Sequence, residues 1–395
     1  MNTTAALPEV QAIAPEMVAL RRQLHANPEL GFEEHETAAL VAERLQGWGY
    51  DVHRGVGGTG VVAVLQGSQP GPRLGLRADL DALPITEATG LPWASRKPGL
   101  MHACGHDGHT ATLLAAARVL GLSRGFAGTL NLIFQPAEEG LGGAQRMLDD
   151  GLFERFPCDR LYAFHNAPGY AAGLFGFRSG VMYSSSDTAI ITVHGLGGHG
   201  ARPHQAVDPI LAASHLVIAL QAIVSREVDP NELAIITVGA FLAGSAPNVI
   251  PPSAELRLTV RARSEAVRAQ LRERITAVAQ AQAAVHGARA EVDYRWRYPV
   301  TINDREATRW AEAVARSRVG DAGLIPDLPP GLPSDDFGLM LQRVPGCYFV
   351  VGNGIGKGVG EGGCDAHNPG FDFNDGILAS TASLFVDLAR RYLST

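Results

Sequence analysis

The chain predicts a two-domain α/β protein, in which a largely parallel sheet flanked by helices is interrupted by a smaller α+β sandwich. Three observations carry this reading. At 395 residues the chain exceeds one ordinary core. Short apolar runs bounded by glycine or proline alternate with helical stretches, the pattern of strands joined by crossover helices. Across residues 183–296 that pattern gives way to four strands and two helices in about 110 residues.

The elements follow in order. Met17, Leu20 and Leu24 repeat at three and four residues, and Pro28 closes this first helix. A second helix is expected from Glu36 to Trp48, with Leu40, Val41 and Leu45 on one face and Gly47 and Gly49 as the stop. Strands are expected at Gly60–Leu65, Leu74–Leu76, Thr129–Phe134, Leu161–Phe164 and Cys347–Val351, with a helix at Thr110–Leu120. In the middle region the expected strands are Ala189–Val193, Ala234–Val238, Leu256–Val260 and Val292–Trp296. The helices between them are Pro209–Ile223 and Ala266–Val285, the second carrying Val267, Leu271, Ile275 and Val278 in phase. Pro326–Pro333 and the glycine-rich Gly352–Gly363 read as loops. The domains are therefore placed at 1–182 with 297–395, and at 183–296.

Composition narrows the function. Apolar residues make up 46% of the chain and the net charge is −7, which argues against a phosphate-backbone partner. Four cysteines are no disulfide framework, so a reducing cytoplasm is the expected setting. Met1–Met17 lacks the basic and apolar regions of a signal peptide, and no apolar run approaches the ~20 residues of a bilayer span, so no membrane partner is expected.

The chemistry-bearing residues concentrate at strand ends, where open α/β sheets place their ligands. Cys104, His106 and His109 lie in Met101–His109, just before a helix, and are residue types that bind transition metals. Gly105 and Gly108 would let the backbone bend so that these side chains converge. Glu138 and Glu139 follow the Thr129–Phe134 strand; neighbouring carboxylates there can diverge, one toward a metal and one toward water. His165 follows Leu161–Phe164, and His367 follows the glycine-rich loop. Together Cys104, His106, Glu139, His165 and His367 could hold two ions if one ligand bridges. Asp79, at the end of another strand, could orient a ligand from behind, or could simply pair with Arg77. In the middle region His199 sits among glycines, while Asn248 and Arg261 offer an amide and a guanidinium suited to an oxyanion and a carboxylate. Gly358-x-Gly360-x-x-Gly363 fits a dinucleotide pattern, but no helical pattern opens after it.

With these residues assembled, the chain resembles the M20 family of metallopeptidases and amidohydrolases. The likeness is greatest to the branch of hippurate hydrolases, N-acyl-amino-acid amidohydrolases and plant auxin-conjugate hydrolases. The motifs are Leu24–Leu30, Arg77–Pro84, Met101–Thr110, Phe134–Gly140, His199 with Asp208-Pro209, Asn248–Pro251, Asp336-Phe337 and His367-Asn368-Pro369. Two departures stand out. Asp335 precedes Asp336 where the family has glutamate, and Ala366 precedes His367 where it has leucine. Cys364, three residues before His367, reads as a loop cysteine.

The resemblance implies a catalytic domain with an inserted dimerisation (lid) domain. It implies two divalent ions, Zn²⁺ or Mn²⁺ with Co²⁺ or Ni²⁺ also suited, bridged by Cys104 and held by His106, Glu139, His165 and His367. Glu138 falls on the general base, and His199 on a histidine that reaches the partner subunit's site in a homodimer. Asn248 and Arg261 fall on substrate contacts. The implied reaction is hydrolysis of an N-acyl amino acid, a small-molecule substrate. A dipeptidase or carboxypeptidase, or a metal-binding homologue without catalysis, is the alternative.

Overall fold

The computed structural model describes residues 6–122, 124–358 and 360–394. The first residues of the leader reading and position 359 of the glycine-rich loop lie outside them. The chain divides into two compact units. One runs to Gly180 and adds Ile302–Pro329 and the chain from Leu339 on; the other is Val181–Thr301 with Pro330–Gly338. The sequence reading assigned 330–338 to the larger domain. Within the second unit, Ser184 N donates to Pro333 O at 3.0 Å and the Arg263 side chain donates through Nη2 to Pro330 O at 2.8 Å.

The first unit is built on a seven-stranded sheet. Its order is Asp51–Val56, Gly60–Gln66, Ala127–Gln135, Gln69–Asp79, Arg160–Pro168, Gly346–Gly354 and Phe175–Gly176. The four strands from Ala127–Gln135 to Gly346–Gly354 run parallel, and the strands outside them are antiparallel. Every residue of Gly346–Gly354 is buried, as expected of a strand covered on both faces. Helices Pro8–Ala26, His35–Gly47, His106–Gly121, Arg305–Val319 and Leu378–Tyr392 supply the apolar cover. Parallel register aligns the strand ends, with Asp79 opposite Gln135 and His165 opposite Val350.

The helix after the Cys104–His109 cluster begins at His106, four residues earlier than the hydropathy pattern suggests, and it is buried along nearly its whole length. Gly105 ahead of it has φ +98°, and a Cβ there would stand 2.2 Å from Asn166 Oδ1. Gly108 does not bend the chain. It lies inside the helix, where the Phe373 ring occupies the space of a side chain.

The second unit is a four-stranded antiparallel sheet in the order Ala234–Ala243, Ser253–Ala262, Ser186–His194 and Arg289–Tyr298. Burial alternates along Ser186–His194, so one face is covered. Helices Pro209–Ala222 and Glu265–Val285 cover it through Ala212, Leu216, Leu220, Leu271, Ile275 and Ala279. The first continues through a π turn to Glu227. By length and composition these 19 residues, with a mean hydropathy of 1.5, could cross a membrane, a stretch the sequence reading passed over. Its buried stripe instead packs on the sheet of this unit.

Candidate metal centre

Five side chains from four chain segments meet at the C-terminal edge of the first unit's sheet. Cys104 lies ahead of the His106–Gly121 helix, His106 on its first residue, Glu139 just past Ala127–Gln135, and His165 within Arg160–Pro168. His367 occupies a loop in a left-handed conformation (φ +64°), its N–H donating to Ala103 O at 2.7 Å. Cys104 Sγ is 3.3 Å from His165 Nε2, and His367 Nε2 is 3.2 Å from Glu139 Oε1. The potential ligand atoms form two groups, Cys104 with His106 and His165, and Cys104 with Glu139 and His367, each spanning no more than 4.8 Å. Cys104 belongs to both, which is the position a bridging ligand needs.

Hydrogen bonds set which ring nitrogen each histidine presents. His106 Nδ1 is 2.9 Å from Asp81 O and 3.2 Å from Asp81 Oδ1, leaving Nε2 toward the cluster. His165 Nδ1 is 2.7 Å from Asn166 O, again leaving Nε2. His106 Nε2 is buried without a hydrogen-bond partner, 3.9 Å from Glu139 Oε1. Buried polar atoms rarely stay unpaired, and a cation between the two would satisfy this nitrogen. The donor set of thiol, imidazole and carboxylate therefore fits divalent ions.

Charge within the cluster points the same way. Burial pushes the Cys104 thiol up, and the Glu139 carboxylate adds to this. Hydrogen bonds to Cys104 and Glu139 raise His367 to about 10. Burial drives His165 down to about 3, with the neighbouring His109 adding to the effect. His106 is raised well above its ordinary value, because the charges of Asp79 and Cys104 outweigh its desolvation.

Glu138 is buried beside the ligands, its carboxylate within 4.8 Å of ligand atoms of His106 and Glu139. Asp79 is 3.7 Å from His106 Nε2, but its hydrogen bonds go to Arg77 Nη1 (2.6 Å) and His109 Nδ1 (2.6 Å). The carboxylate that backs the ligands is Asp81, which the sequence reading missed. Besides holding His106, its Oδ2 accepts the Glu139 N–H at 2.9 Å. The signal was present: Asp79 and Asp81 are two apart, on the same phase of an extended segment. His109 is no ligand candidate by its bonding, since Nε2 lies 2.7 Å from Asn166 Oδ1 and Nδ1 faces Asp79. Cys364 joins no ligand group among the described residues, and all four cysteines are unpaired.

The residues singled out in the second unit are placed as follows. His199 and Val249 are register partners in a short two-stranded pairing, and Asn248 O accepts the Gly200 N–H at 2.8 Å, which brings His199 and Asn248 together. His199 is exposed, its Nδ1 accepting the Ala201 N–H at 3.1 Å. Arg261 lies apart on Ser253–Ala262, donating to Thr259 Oγ1 at 2.6 Å.

The sequence profile of Peptidase family M20/M25/M40 matches residues 75–391. The chain belongs to this family. Hippurate hydrolase from Campylobacter jejuni is 43% identical over 98% of this chain and 99% of that protein. N-acetyl-L-cysteine deacetylase from Bacillus subtilis is 36% identical over 98% and 90%. Thermostable carboxypeptidase 1 from Saccharolobus solfataricus is 37% identical over 87% of each chain. A solved dinuclear metal binding peptidase of the M20 family from Bacillus subtilis superposes with a TM-score of 0.83, at 32% identity, covering 98% of this chain and 99% of that one. Shared family and ligand chemistry agree on a hydrolase that works with divalent metal.

Proposed function

We propose that the protein is a metal-dependent amidohydrolase that cleaves the amide bond of N-acyl amino acids, hippurate among them, into a carboxylic acid and an amino acid. The observation that carries this is the pair of ligand groups sharing Cys104, with Glu138 buried beside them. Cys104, His106, Glu139, His165 and His367 would hold two ions, Zn²⁺ or Mn²⁺ first, with Co²⁺ or Ni²⁺ as further candidates. When bound, such ions acidify a water molecule and polarise the scissile carbonyl. Glu138 takes the proton of the attacking water and delivers it to the leaving amine, serving as base and then as acid. His199 would donate to the oxyanion developing in the partner subunit's site, and Asn248 and Arg261 would contact the substrate's carboxylate or carbonyl side, the roles their place in the family's motifs supports.

A homodimer through the second unit is part of this proposal. The two edges of its sheet differ. Arg289–Tyr298 carries Arg289–Glu291 and Arg295–Asp293 pairs, which guard an edge against pairing. Ala234–Ala243 carries no charged residue and exposes Phe241 and Leu242, and the helix beginning at Pro209 exposes Leu211 and Ile218. An unguarded apolar edge suits a second copy of the chain. Four unpaired cysteines, one of them proposed as a ligand, support a reducing cytoplasmic setting.

Glu138→Gln tests the assignment. It should leave the ion content unchanged and reduce hippurate turnover below a few per cent; retention of turnover above that would remove Glu138 from its role. A panel of N-acyl amino acids against dipeptides separates this reading from a carboxypeptidase-like one, which the Saccharolobus solfataricus relative favours.

A further inference from the structure

We infer that Glu34 is a positioning residue for Glu138, acting through the main chain of Ala137; this rests on Glu138 being the general base. Glu34 is fully buried, just ahead of the His35–Gly47 helix and 103 residues before Ala137. Its Oε1 accepts the Ala137 N–H at 2.8 Å, and its Oε2 accepts the Thr59 hydroxyl. Ala137 has φ +51°, a left-handed conformation that a residue with a side chain keeps only when its surroundings hold it. One residue beyond Glu138, the Glu139 N–H is held by Asp81 Oδ2. The amides on both sides of Glu138 are thus clamped by carboxylates from two separate chain segments.

The segment presenting Glu34 is itself fixed against this turn. Glu29 accepts the N–H groups of Glu36 and Thr37 at 3.1 and 2.8 Å, which pins the start of the helix. A Cβ on Gly31 would lie 2.9 Å from Ala137 Cα, so only glycine lets the two backbones approach this closely. Burial pushes the Glu34 carboxyl up to about 7, although Thr59 and Ala137 pull it down. An apolar side chain would fill this position without that penalty but could not accept the Ala137 amide.

The test compares Glu34→Ala with Glu34→Gln, whose amide oxygen can still accept the Ala137 N–H. Glu34→Ala should lower kcat on hippurate at least tenfold, with KM within twofold and ion content unchanged, while Glu34→Gln stays within threefold of the parent. In chelator-treated protein, amide exchange across Phe134–Gly140 should speed up in Glu34→Ala and not in Glu34→Gln. In a Glu138→Gln background, Glu34→Ala should cost no further activity. Equal losses in Glu34→Ala and Glu34→Gln, a kcat within twofold of the parent in Glu34→Ala, or unchanged exchange would overturn the inference. Should Glu34→Ala not fold, Thr59→Val frees one oxygen of Glu34 alone: a two- to fivefold fall in kcat with faster exchange supports the inference, and no change in either defeats it. High turnover by Glu138→Gln would sink the general-base assignment by itself, whereas the exchange measurement reports on the Glu34 clamp whichever residue is the base.

Discussion

Replacing Asp81 with alanine removes one carboxylate that touches two ligand residues at once. At His106 the loss is partial, because Asp81 O remains 2.9 Å from Nδ1 and continues to fix the tautomer. At Glu139 the loss is complete, because Oδ2 is the group that accepts its N–H at 2.9 Å. An amide left unsatisfied in such a place costs about 1–3 kcal/mol. Loss of the groups that orient metal ligands typically weakens binding by about 10–100-fold. The two figures agree, since a tenfold change is about 1.4 kcal/mol. Asp81→Ala should therefore bind its ions about 10–100-fold more weakly, read by competition against a chromophoric chelator, while Asp79→Ala should act mainly through folding stability. Wild-type metal affinity in a folded Asp81→Ala protein would refute the reasoning.

Two further outcomes follow from buried charge. Arg21 is fully buried against Asp107 (3.4 Å), Asp372 (3.0 Å) and Asp375 (2.7 Å), so Arg21→Met removes the buried cation that three carboxylates share and should cost about 3–5 kcal/mol in denaturant unfolding. A loss below about 1 kcal/mol would contradict the network's structural weight. Burial raises Glu34 to about 7 in the folded state, against an ordinary 4.5, so the native protein binds the extra proton between those values. Its contribution to stability is fully present below pH 4.5 and lost as pH rises through 7. Glu34→Gln should accordingly gain on the parent between pH 5 and 8, by an amount on the order of 1–3 kcal/mol in metal-free protein. A difference independent of pH would contradict it.

Much of this architecture is legible in the residues. The buried strands Thr129–Phe134, Leu161–Phe164 and Cys347–Val351 announce themselves as apolar runs, because strands covered on both faces need no polar alternation. The edge strand Asp51–Val56 escapes that signal, since only Val56 is buried and its pairing with Gly60–Gln66 is set by a tight turn. Assignment of 330–338 to the second unit depends on contacts such as Arg263 with Pro330, which join distant positions and leave no periodic trace. At the centre, the types of the ligands mark them out; their supports do not. Asp79 and Asp81 share a phase and a chemistry, and only the bonds to His106 and Glu139 separate them. Glu34 lies within a polar Glu-Glu-His-Glu stretch that reads as solvated surface, and its burial arises from the approach of Gly31 to Ala137.

In the proposed reaction, bound divalent metal and Glu138 together hydrolyse N-acyl amino acids. Glycine release from hippurate, followed in chelator-stripped protein before and after titration with Zn²⁺ or Mn²⁺, tests it most directly. Stripped protein should release none, and turnover should rise to a plateau as about two ions bind per subunit. Turnover indifferent to stripping, or a protein that takes up its ions and releases no amino acid from hippurate or any other N-acyl amino acid, would contradict it.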